Sequence, residues 1–353
     1  VVIAWFCRTS RLQFSIVLQF FRNNQFFVAI PLVLYVFALH FGALFGFLQP
    51  ASVEPLQRGL LFQDWFGWAQ EQPFYSALLA ALLVSIQAIM VNKLADEFRL
   101  MSDRNWFPGL FYALVASLLP EFLFVTAPLV AATFVLLSIW SIYAAFQKPN
   151  VTGAIFDAGL WIAVAGLFYP PAIFLLVAAF FGLGIVRVFQ FRERMVLLSG
   201  VFVPNFLAWV WYFWADEGAA FRDAQWGNLF QFNQFDAVWN EVLILKTALI
   251  STLSLIFIYG LGALNNRKGI QSQKFVGVLY WFLVLGASTA LFARQWLWEH
   301  LLLTAAAMGL LLAMTFQEFR SRFWAEMLHF LLLCFVLFIQ FAEKIIPLAN
   351  SIF

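Results

Sequence analysis

The sequence predicts an all-α, polytopic transmembrane helical bundle of about eleven spans, with the N-terminus inside and the C-terminus outside. Three observations predict it. The chain has 353 residues, of which 64% are apolar and 11% charged, with a mean hydropathy of +0.88; a soluble domain carries about 25% charge. Apolar runs near the length of a bilayer crossing, about 20 residues, recur along the whole chain between charges, prolines and Asn/Gln clusters. The basic residues, finally, fall into alternate connections.

Residues 1–25 read as an inner-interface amphipathic segment, in which Arg8, Arg11 and Arg22 interrupt apolar pieces and reach for headgroups. Residues 26–353 read as one transmembrane domain, with spans expected at about 26–48, 74–92, 106–120, 122–146, 153–169, 170–189, 196–214, 241–264, 276–293, 300–316 and 325–348. Pro120 and the Pro170–Pro171 pair mark hairpin ends. Placing the N-terminus inside puts fifteen of the 20 Lys and Arg residues on the inner side, which is the orientation that the positive-inside rule favours. Eleven of the 18 acids then fall at or near the outer face.

Two outer loops are long, 49–73 and 215–240. In the first, Leu56, Leu60, Leu61, Trp65 and Trp68 recur at helical spacing opposite Gln57, Arg58 and Asp64; in the second, Trp226, Phe230, Phe232, Phe235 and Trp239 alternate with polar residues. Both read as helices or re-entrant pieces in the outer interface, where Trp is enriched. No internal repeat is visible, which leaves an inverted-repeat transporter unsupported.

Composition excludes several functions. A net charge of +2 without a basic domain argues against nucleic acid. Three His and two Cys are few for a haem, zinc or iron–sulfur centre, and Cys7 and Cys334 lie at different depths, so no disulfide framework is implied. No charged–apolar–small cleavage pattern follows Val1, so no removed signal peptide is expected. Walker, dinucleotide, HExxH and GxSxG motifs are missing from the sequence.

The candidate chemistry is therefore carried by scattered charges. Asp64, in Phe62–Gln63–Asp64–Trp65–Phe66, is a carboxylate flanked by aromatics, whose partial desolvation raises its basicity; the plainer alternative is the polar face of an interfacial helix. Glu121 follows Pro120 at an outer turn and either faces the same cavity or simply favours a helix N-terminus. Asp64 and Glu121 are the catalytic candidates, as general base or as ligands of a divalent metal ion. Arg58, Arg222, Arg294 and His300 are the outer groups suited to a lipid phosphate, or else ordinary interface anchors. Lys246 lies inside a span, where an ammonium is costly; it snorkels outward or pairs with an acid such as Glu241 or Glu299. Asp157 opens the fifth span, and Glu326 and His329 stand near the start of the last.

Three stretches carry a resemblance. Asn92–Lys93 through Trp106–Phe107–Pro108, Ser117–Leu118–Leu119–Pro120–Glu121–Phe122, and Ile155–Phe156–Asp157–Ala158–Gly159–Leu160 running on through Tyr169–Pro170–Pro171 to Arg187 together resemble an uncharacterised polytopic inner-membrane family of Gram-negative bacteria. The likeness spans about the central third of the chain. A more distant likeness is to the GT-C glycosyltransferase superfamily. It rests on the short connection between the fourth and fifth spans, the A-G-L-x-x-A-x-A-G-L hairpin and the interfacial helix of the first outer loop. That resemblance implies transfer or polymerisation of sugar from a polyprenyl-phosphate donor at the outer face of the bacterial inner membrane. It matches the superfamily's acids to Asp64 and Glu121, and leaves Arg222, Arg294 or His300 to steady the phosphate. The superfamily often has paired acids in the first loop, whereas here Asp64 stands alone, with Glu54 ten residues earlier.

Three functions stay open: such a glycosyltransferase; a non-catalytic subunit or scaffold of a membrane complex, which the 46 Phe residues and few small-residue seams also suit; and a lipid or solute transporter with Lys246 in its pathway.

Overall fold

Inside a bilayer no water satisfies the backbone, so a spanning segment must bond its own amides, and a helix results. The computed structural model describes residues 17–22, 25–50, 58–146, 150–227, 229, 241–252, 269–292, 297–319 and 321–352, and the regular structure among them is helical throughout. In chain order the helices are α1 (Val17–Phe21), α2 (Ala29–Leu39), α3 (Phe41–Leu44), α4 (Leu60–Gln70), α5 (Pro73–Glu97), α6 (Phe107–Ala116), α7 (Ala127–Ala144) and α8 (Thr152–Phe168). They continue with α9 (Leu175–Val186), α10 (Phe191–Trp214), α11 (Gly218–Arg222), α12 (241–252), α13 (Ile270–Ser288), α14 (Ala305–Gln317) and α15 (Arg322–Ile352).

Six helical stretches among the described residues are long and apolar enough to cross a membrane: Pro73–Glu97, Ala127–Ala144, Phe191–Trp214, Ile270–Phe292, Trp298–Gln317 and Arg322–Ala342. Four shorter apolar helices accompany them. The protein is an all-α, multi-pass membrane bundle.

The starts of the helices are written in the sequence. Pro73, Pro108 and Pro128 sit in first turns, where a missing N–H costs nothing. Thr126 caps α7 by accepting a hydrogen bond from the Leu129 amide at 3.4 Å. The prolines expected to end hairpins do so: Pro120–Leu123 and Pro170–Phe174 are 3-10 turns, joined at the same end of the bundle by Thr289–Phe292 and Trp298–Thr304.

The core centres on α6, all ten of whose residues are buried, packed between α2, α5 and α14. Lipid tails are as apolar as Leu, so association rests on close packing and buried hydrogen bonds. Gln87 of α5 supplies the bonds: its amide donates to Leu129 O at 2.9 Å and Thr133 Oγ1 at 2.7 Å, and its oxygen accepts from Tyr112 Oη at 2.7 Å. Three helices are thereby tied at one point. Close packing is most marked where α8 crosses α10. A Cβ on Gly159 would come within 2.1 Å of Leu197 O, and one on Gly200 within 2.2 Å of Phe156 O, so only hydrogen fits on either side.

Some expectations are corrected. The stretch expected to span 106–120 is a helix only to Ala116, because the chain turns extended at Leu119 (ψ 154°) to reach the Pro120 turn. Asp157 does not open α8: the helix begins at Thr152, which places it in the second turn, exposed. In the first long loop, α4 is a helix, with Trp65 and Trp68 exposed. In the second, α11 leads into a π turn, Asp223–Gly227, while Phe230, Phe232, Phe235 and Trp239 lie outside the described residues. Of the N-terminal segment, Arg8 and Arg11 lie outside them as well.

Candidate functional site: a buried charge cluster at one end of the bundle

The end bearing the Pro120 and Pro170 turns gathers ionisable side chains from separate parts of the chain. Lys246, from α12, donates to Glu121 Oε1 at 2.5 Å, and the two side chains are only 4% and 17% exposed. The sequence leads to an acid such as Glu241 or Glu299 as partner, and Glu121 is an acid that it bonds. The second Glu121 oxygen, Oε2, is buried with no hydrogen-bond partner among the described residues. The turn that carries Glu121 packs on Trp298–Thr304. There Glu299 is buried within electrostatic reach of both Glu121 and Arg58.

Arg58 owes its place to Gly59. The Gly59 amide donates to Phe168 O at 3.0 Å, and a Cβ there would stand 2.0 Å from Leu167 O, so the start of α4 lies directly against the end of α8. The Arg58 guanidinium donates to Gln70 Oε1, whose amide nitrogen in turn donates to Val125 O at 3.3 Å. Burial pulls the Arg58 guanidinium below its usual range, and the Glu299 carboxylate pulls it back. A guanidinium starts so high that it keeps its charge.

Beside these, Tyr169 and His300 share a hydrogen bond of 2.5 Å between Oη and Nδ1, their rings stacked 5.6 Å apart. Both are buried. Tyr169 is the residue immediately before the Pro170 turn and lies within electrostatic reach of Glu299.

The structure therefore brings together Arg58, Glu121, Lys246 and His300 of the expected residues and adds Glu299 at their centre. Asp64 lies exposed on α4 and accepts a 2.6 Å hydrogen bond from Tyr212 of α10. Arg222 is exposed and paired with its neighbour Asp223 at 3.2 Å. Arg294 lies outside the described residues. Tyr169 and Gln70 escaped the sequence reading; the one available signal was a tyrosine set beside two prolines in an otherwise apolar stretch.

As for a divalent ion, the donor set does not suit one. Among the described residues no three His, Cys, Asp or Glu side chains are grouped so that they could hold a metal ion, and the carboxylates of the cluster face Lys246 and Arg58. What the arrangement offers is a buried carboxylate oxygen beside cations. No family model matches the chain, nor does any curated protein or solved structure.

Proposed function

We propose that the protein is an enzyme of the bacterial inner membrane that transfers sugar from a polyprenyl-phosphate-linked donor, at the end of the bundle that bears the charge cluster. The observation behind this reading is that buried Lys246 and Glu299 gather with partly buried Glu121 and Arg58. Ionisable groups at membrane depth are costly and as a rule mark function. In this mechanism Glu121, through Oε2, takes the proton from an acceptor hydroxyl. The hydroxyl oxygen bonds to the anomeric carbon as the bond from that carbon to the phosphate oxygen breaks. Lys246 and Arg58 hold the charge on the departing lipid phosphate.

In the orientation proposed here, the chain crosses about eleven times and the cluster faces away from the cytoplasm. Cysteines placed singly at Arg222 and Arg322 test this directly. Labelling with an impermeant maleimide in spheroplasts is expected at position 222 alone; labelling at 322 alone reverses the orientation.

The activity is tested by purifying the chain in mild detergent and identifying the lipids and proteins that accompany it by mass spectrometry. A polyprenyl-phosphate species is expected with the wild type and with Asp64→Asn, and is expected to be lost from Arg58→Gln. A stoichiometric membrane partner with no such lipid would overturn the enzyme and leave the subunit. One feature favours that second reading: α10 turns Phe202, Phe206, Trp209 and Phe213 outward in a continuous ladder of ring contacts.

A further inference from the structure

At the other end of the bundle, α1 is fastened between two spans. Glu326 of α15 accepts the amides of Val17 at 2.9 Å and Leu18 at 3.1 Å, while the Trp106 amide, just before α6, donates to Phe21 O at 2.8 Å. Arg22, immediately after α1, is held with its guanidinium 5.9 Å over the Phe107 ring. These attachments leave an open-sided pocket whose walls include Leu18, Arg22, Phe107, Arg322 and Glu326.

The charge of that pocket is not balanced from within. The Glu326 carboxylate is already directed at backbone amides, and neither Arg22 nor Arg322 forms an ion pair among the described residues. Phe107 is the first residue of α6 and Arg322 the first of α15, so two helix N-termini add their partial positive charge to the same place. The pocket also has a defined depth. It lies where two apolar helices begin, and Phe20, Phe323 and Trp324 stand exposed around it, as aromatic side chains do at the level of lipid headgroups.

We propose that this pocket binds the phosphodiester headgroup of an anionic membrane lipid, with Arg22 and Arg322 on the phosphate oxygens and the acyl chains lying along the exposed aromatic rim. Two guanidiniums over a phosphate are the arrangement that gives strong, directional hydrogen bonds, and basic pockets between helices are where headgroups of this kind lodge. The site stands apart from the charge cluster, so it holds or fails independently of the activity proposed above.

The test is native mass spectrometry of the full-length protein, delipidated in detergent and titrated with phosphatidylglycerol, phosphatidylcholine or inorganic phosphate. Phosphatidylglycerol is expected to bind one-to-one, and about thirtyfold more weakly in the Arg22→Gln/Arg322→Gln double variant, each basic residue near an anionic headgroup being worth about fivefold. Phosphatidylcholine is expected to bind weakly and alike in both proteins. If the double variant does not fold, the exposed Arg322→Gln alone is expected to lose about fivefold. Equal phosphatidylglycerol binding by the wild type and a folded variant overturns the site. Displacement of the lipid by millimolar inorganic phosphate overturns the lipid and leaves a small-anion pocket.

Discussion

Tyr169 and His300, 131 positions apart, meet in a stacked pair joined by a 2.5 Å hydrogen bond. The contact ties the Pro170 turn to the start of the helical stretch that runs into α14. Removing the hydroxyl in Tyr169→Phe leaves the stack and takes away the bond to the buried imidazole, at a cost of about 0.5–1.5 kcal/mol. A lower melting temperature in detergent is expected, with helix content unchanged. An unchanged melting temperature would mean that the bond contributes nothing in solution.

The Lys246–Glu121 pair behaves differently when one member is removed than when both are. Lys246→Met alone leaves a largely buried carboxylate without its cation and is expected to cost about 3 kcal/mol. Lys246→Met combined with Glu121→Gln removes both charges and is expected to recover most of that loss. Melting temperatures of the wild type, the two single variants and the double variant form the cycle that measures the coupling. Additive losses would show that the two charges do not interact.

The α8–α10 crossing makes a sharp demand at Gly200. A Val there drives methyl groups into Phe156 O, which belongs to backbone and does not yield. Gly200→Val is expected to detach α10, giving aggregated protein or a loss of stability of about 3 kcal/mol or more. Gly153→Ala, with nothing within 4 Å of the added carbon, is the matched control and is expected to behave as wild type. Size-exclusion profiles of the two proteins decide it.

Exposed Asp64 and buried Tyr212 form a bridge between α4 and α10. Tyr212→Phe and Asp64→Asn are each expected to cost at most about 1 kcal/mol, while leaving lipid retention intact. Loss of the co-purifying lipid in Asp64→Asn alone would return that residue to the site.

Much of the fold could be read from the sequence, because bilayer chemistry leaves one option for the backbone. Pro120, Pro170 and Pro171 fall at hairpin ends, and the Leu60–Gln70 stretch is a helix with Trp65 and Trp68 exposed, since each follows from local sequence. The site was legible only as separate residues. Glu121, Lys246, Arg58 and His300 each stood out as charges in apolar surroundings, but nothing local links Glu121 to an ammonium 125 positions away. Asp64 drew attention through its aromatic neighbours. Those neighbours include Trp65, which is 61% exposed, so they give Asp64 no enclosed pocket.

The complete burial of α6 also has a meaning in time. Its partner α14 leaves the ribosome about 200 residues later, which at roughly 5–20 residues per second is an interval of about 10–40 seconds. Throughout it, the flank of Tyr112 that α14 will cover has no neighbour from its own chain. A nascent helix held that long beside the insertion machinery makes the second half of the protein the guardian of the first. Truncation before α14 would therefore release a bundle open through its middle.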